Sequence, residues 1–89
     1  MLSEADKNTI IRFARKYNVS ALYVFGSSLK ENVEARDIDL GVKGLEPKFF
    51  FKFYGELSRQ VSKEVDLVDL SHKTLFNEVI ESRGVKIYG

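Results

Sequence analysis

Apolar and polar positions change period several times along the chain, and each change marks an element. Ile10, Phe13, Ala14 and Tyr17 recur at helical spacing behind Ser3 and Asp6, which stand three apart in the form of a capping box. The spacing predicts a first helix from about Glu4 to Lys16. The short run "SALYVFG" follows, rich in strand formers and closed by Gly26, and reads as a strand. Both of its parities are mostly apolar, so it is expected inside a sheet with cover on both faces.

"DIDLGVKG" alternates strictly: Ile38, Leu40 and Val42 share one parity, and Asp37, Asp39, Gly41 and Lys43 share the other. This predicts a second strand with one buried and one polar face. Pro47 stands where the first turn of a helix tolerates it. Phe50, Phe53, Tyr54, Leu57 and Val61 form an apolar stripe behind it, predicting a helix from about Pro47 to Ser62 with Gly55 as a weak point. "KEVDLVDL" predicts a third strand. In "HKTLFNEVIESRG", Leu75, Phe76, Val79 and Ile80 share one face of a last helix that Gly84 ends, and "VKIYG" adds a short strand.

Helices alternating with strands imply an α/β (α+β) domain. The short connection between the first two strands permits an antiparallel pair, hence a mixed β-sheet with flanking helices. A chain of 89 residues suffices for one core and is too short for two. Composition narrows the class further. Apolar residues at 44% and charged residues at 30% are a globular balance. The formal charge is +1 with no basic stripe, so direct nucleic-acid binding is not expected. There is no cysteine, which excludes disulfides and thiolate metal sites. No apolar stretch reaches membrane-spanning length and the N-terminus lacks signal-peptide character. The expected location is cytoplasmic.

The chemistry concentrates on three acids. Asp37 and Asp39 project from one face of a strand, and two anions held that close repel unless a cation sits between them. Magnesium suits the pair because it takes hard oxygen ligands and is commonly held by one or two carboxylates together with substrate phosphates. Asp66, at the start of the third strand, completes the cluster if that strand lies beside the second. Taken alone, "DID" equally describes the solvent face of an edge strand. Gly26 and Ser27 add what a metal site lacks, since a glycine ending a strand lets backbone N–H groups form an anion-binding nest and the serine adds a donor. By itself "GSS" is also an ordinary loop.

Together, Gly26-Ser27, the Asp37-Ile38-Asp39 triplet and "VDLVDL" resemble the nucleotidyltransferase fold of the DNA polymerase β superfamily. The chain is similar to its minimal branch, the MNT antitoxins of MNT–HEPN toxin–antitoxin pairs, over nearly its whole length, as a single domain spanning residues 1–89. The resemblance implies that Asp37 and Asp39 ligate two magnesium ions, that Asp66 joins the catalytic one and helps activate the acceptor, and that Gly26 and Ser27 hold the nucleotide phosphates. It implies a reaction as well: transfer of AMP from ATP to a tyrosine of the partner HEPN toxin, an all-helical ribonuclease, which silences it. Homo- and hetero-oligomers are both open.

Two departures stand out. Nine residues separate Ser27 from Asp37, one fewer than the family pattern, and "SLKEN" replaces the basic, glycine-containing segment that commonly follows the Gly-Ser. The second leaves room for an antitoxin that neutralises its toxin by binding alone. Asp69 rivals Asp66 as third acid, but the two differ in strand parity and the family pattern favours Asp66. His72, the only histidine, is expected at the surface or at a helix cap. "KFFFKFYGEL" carries more aromatics than one helix face needs, which fits either a broad buried face or an apolar patch for a partner.

Overall fold

A computed structural model of the protein describes residues 2–26 and 37–89. The chain runs α1 (Glu4–Lys16), β1 (Ala21–Phe25), β2 (Asp37–Lys43), a 3-10 turn (Pro47–Phe49), α2 (Phe50–Gln60), β3 (Glu64–Asp69), α3 (Leu75–Arg83) and β4 (Val85–Tyr88). The strands form one sheet in the order β3-β2-β1-β4. β1 is antiparallel to both β2 and β4, while β2 and β3 are parallel and joined through α2. The sheet is mixed, as the short β1–β2 connection and the longer β2–β3 crossover require.

One face of the sheet makes the core. Leu22 and Val24 of β1, Ile38, Leu40 and Val42 of β2 and Val65 of β3 pack against Ile10, Phe13 and Ala14 of α1 and Phe53 and Leu57 of α2. The strict alternation of β2 puts its aliphatic side chains on that face and its acids on the other. α3 lies on the acid-bearing face, where Ile80 and Leu70 close over Gly41 and Phe76 meets Phe25 edge-on at 6.4 Å. β1 is only partly covered there, because Tyr23 and Phe25 stay half-exposed.

Several sequence expectations shift in detail. The Ser3 hydroxyl accepts from the Asp6 N–H at 3.1 Å, which is one half of a capping box. The Asp6 carboxylate is buried and turns elsewhere, accepting from the Ser62 N–H at 3.1 Å and the Ser62 hydroxyl at 2.5 Å. It thereby ties the start of α1 to the entry of β3. The predicted helix at Pro47 starts as a 3-10 turn and becomes α-helical at Phe50.

Of the aromatic excess, Phe49 and Phe50 pack against the core, whereas Phe51 is exposed. Thr74, not His72, caps α3, its hydroxyl accepting from the Asn77 N–H. α3 splits its apolar face. It buries Asn77 and Ile80 and leaves Leu75, Phe76 and Val79 exposed. Among the described residues no helix is long and apolar enough to cross a membrane.

Candidate active site

β2 places Asp37, Asp39 and Gly41 on one face, and β3 lies parallel to it with Asp39 opposite Asp66 and Asp37 opposite Glu64. Opposed residues on neighbouring strands project the same way with backbones about 4.8 Å apart, so Asp39 and Asp66 are side by side. Asp37 stands about two strand rises away, roughly 6.6 Å. Asp69 has the other parity, opposite Val42, and its carboxylate accepts from the Ser71 N–H at 2.9 Å. Its carboxylate is thus used in a turn. The sheet therefore brings Asp37, Asp39 and Asp66 to one face and leaves Asp69 out.

Gly26 closes the site from the β1 side. Phe25 is opposite Asp39, and the next residue turns into the left-handed region at φ +66°. A Cβ at Gly26 would lie 2.5 Å from Asp39 Oδ2, so glycine is required both by conformation and by space. Ser27, the second expected phosphate ligand, lies outside the described residues.

Three positions escape a reading of the sequence. Gly41 follows Asp39 by two on the same face, and a Cβ there would meet Leu70 Cδ1 at 2.7 Å and Ile80 Cγ2 at 3.2 Å. Its bare backbone lets α3 seat beside the acids. A signal for it exists: acid, acid, glycine at successive positions of one strand face. Asn77 is the second, its buried amide donating to the Asp69 carbonyl at 3.1 Å and the His72 carbonyl at 2.8 Å, which fastens α3 to the end of β3. The third is Glu64, a further acid on the acid-bearing face, placed opposite Asp37 by the register. Lys43, at the far end of β2, reaches Glu81 of α3 at 2.7 Å, and that carboxylate holds the lysine pKa above its ordinary value.

The donor set fits magnesium in kind. Carboxylate oxygens are the hard ligands the ion takes, and the Gly26 backbone lies close beside Asp39 Oδ2. Among the described residues no three acidic or imidazole side chains close into a metal cage. Phosphate and water oxygens would have to supply the remaining ligands, which is the usual mode for magnesium at nucleotide sites.

A mixed sheet with acids paired across its parallel strands, and a left-handed glycine packed against one of them, is the architecture of a nucleotidyl-transferring domain. The chain belongs to the polymerase beta nucleotidyltransferase family, whose model matches residues 8–89. By sequence, no curated protein matches it. Among solved structures, a toxin–antitoxin complex with AMP-PNP is similar at 27% identity and a TM-score of 0.76, over 93% of this chain and 73% of that one. The MntA-HepT toxin–antitoxin matches at 25% identity and a TM-score of 0.74, over 98% and 73%. A tri-AMPylated Shewanella oneidensis HEPN toxin in complex with its MNT antitoxin matches at 27% identity and a TM-score of 0.72, over 94% and 70%.

Proposed function

We propose that this chain is an MNT antitoxin that transfers AMP from ATP to a tyrosine hydroxyl of a HEPN toxin and so neutralises it. The observation that carries the proposal is the pairing of Asp39 with Asp66 across β2 and β3, with Asp37 on the same face and Gly26 against Asp39. Similarity to complexes containing AMP-PNP and an AMPylated HEPN toxin supports the nucleotide and the acceptor. A ribonuclease acceptor supports a cytoplasmic reaction.

In the reaction the phenolic oxygen bonds to the α-phosphorus of ATP, the bond from that phosphorus to the pyrophosphate bridging oxygen breaks, and pyrophosphate leaves with the electron pair. The phenolic proton passes to Asp66. Gly26, with Ser27, holds the phosphate tail so that the α-phosphorus lies over Asp37 and Asp39. Two magnesium ions, held by Asp37 and Asp39 with Asp66 on one of them, would supply charge neutralisation at the phosphates and a more acidic acceptor hydroxyl. The protein's own task is alignment, which is most of what phosphoryl-type transfer needs.

The test is to incubate catalytic amounts of this protein with a HEPN toxin, ATP and magnesium, remove the antitoxin and weigh the toxin. An adenylyl mass on a tyrosine, with ribonuclease activity lost, is the expected result. Unmodified toxin that regains activity on separation would instead identify an antitoxin that works by binding alone.

A further inference from the structure

α3 turns a polar residue in and apolar residues out. Asn77 is 6% exposed, while Leu75 is 79%, Phe76 58% and Val79 43% exposed, and Val85 just beyond the helix is 52% exposed. Of the six large apolar side chains exposed among the described residues, four belong to α3 and the start of β4. The inversion is not a loose fit, because Asn77 is fixed through two hydrogen bonds to backbone carbonyls and Ile80 seats on Gly41. The helix is held in this facing by its buried side, and an apolar stripe on the side so left open marks an interaction surface.

The position of the stripe says what covers it. Phe76 and Val79 wall a hollow of about 220 Å³ whose floor reaches Phe25 and Gly26, and Gly26 abuts Asp39. Patch and acids therefore share one face of the sheet and are contiguous through Gly26. An acceptor tyrosine carried by a folded protein can reach Asp66 only if that protein settles over this face. We propose that the α3 stripe of Leu75, Phe76 and Val79, with the hollow behind it, is the docking surface for the toxin that presents the tyrosine.

The surface suits a helix of the partner. Residues four apart on α3 form a ridge, the hollow beside it accepts an apolar side chain, and Arg83 at the hollow's edge favours an acidic group on the incoming helix. An apolar centre with charged neighbours such as Glu78 and Lys86 is the usual composition of such interfaces. The inference rests on the transfer reading for the partner's class, and its test separates the two.

Leu75→Glu/Val79→Glu is the informative variant, since both side chains are open to solvent and Asn77 and Ile80 are untouched. Binding to a HEPN toxin that the wild-type protein binds is measured by calorimetry without nucleotide, alongside Phe51→Glu, a change of an exposed aromatic on α2. Association weakened roughly tenfold or more in the α3 variant and unchanged in the α2 variant is expected. Equal weakening in both, or none in either, overturns the docking surface. Labelling of the toxin by the wild-type protein is read separately: toxin that binds through α3 and stays unlabelled overturns the transfer reading and leaves the surface standing.

Discussion

Gly26 and Asp39 stand so close that no side chain larger than hydrogen fits between them: a Cβ on Gly26 would be 2.5 Å from Asp39 Oδ2. Asp39 on β2 is opposite Phe25, the last residue of the antiparallel β1, and Gly26 follows it directly. Gly26 itself takes up the left-handed region, at φ +66°, directly beside that carboxylate. The Gly26 backbone and the Asp39 carboxylate are thereby built as one unit.

Gly26→Ala therefore strains the backbone and displaces Asp39 together. A left-handed alanine costs about 1–2 kcal/mol, so the denaturant midpoint should fall while the protein remains folded. Displacement of the carboxylate by a fraction of an ångström to an ångström is expected to slow toxin labelling on the order of a hundredfold. A variant that is destabilised but labels at the wild-type rate would show that Asp39 is not held in place by this contact.

The register of β3 separates two acids that compete in the sequence for one role. Asp66 is opposite Asp39 and Asp69 is opposite Val42 on the other parity. Asp66→Asn should abolish labelling, because the amide neither takes the phenolic proton nor carries charge for a metal. Asp69→Asn should retain it, since an amide oxygen can still accept from the Ser71 N–H. Parallel labelling assays read both, and the reverse pattern would move the proton acceptor to Asp69.

Strand alternation makes the acid face of β2 legible in the sequence alone, because period-two patterning is a direct image of the pleat. The helix stripes of α1 and α2 are legible for the same reason. The facing of α3 is not. Leu75, Phe76 and Val79 share one apolar helix face with Ile80 in the sequence, and only the tertiary arrangement shows Asn77 to be the residue whose hydrogen bonds are satisfied inside. A pattern of apolar residues cannot distinguish burial in the fold from burial in a complex. Asp66 stands out in its motif, but its nearness to Asp39 depends on the parallel register, a pairing between segments far apart in sequence.

Tyr17 links stability to alkaline pH. Its ring packs edge-on against Phe53 at 5.3 Å, and its hydroxyl is buried without a well-formed hydrogen bond. Burial, and then the Glu56 carboxylate beside it, raise its pKa above the ordinary tyrosine value. A raised pKa means the folded state disfavours the phenolate, so stability is full below the unfolded tyrosine value of about 10 and declines as pH rises past it. Tyr17→Phe removes that contribution. Its stability at neutral pH should equal or exceed that of the wild type, and urea melts at increasing pH should show a shallower alkaline decline. Parallel declines in both proteins would assign the alkaline loss to the other tyrosines and lysines.

Magnesium and ATP should stabilise the protein together by more than the sum of their separate effects. Asp37, Asp39 and Asp66 lie on one face, yet no three acids among the described residues close into a cage. An ion held there needs oxygens from the nucleotide, and the triphosphate beside Asp37 and Asp39 needs the ion to offset repulsion between like charges. Each ligand therefore completes the other's site, and both bind the native state only. Thermal melts with magnesium, with ATP and with both measure the coupling, and Asp39→Asn should reduce the combined shift to the ATP-only value. Purely additive shifts in the wild type, or a combined shift that survives in Asp39→Asn, would mean that ATP and metal occupy independent sites and that the paired carboxylates do not bind the nucleotide through magnesium.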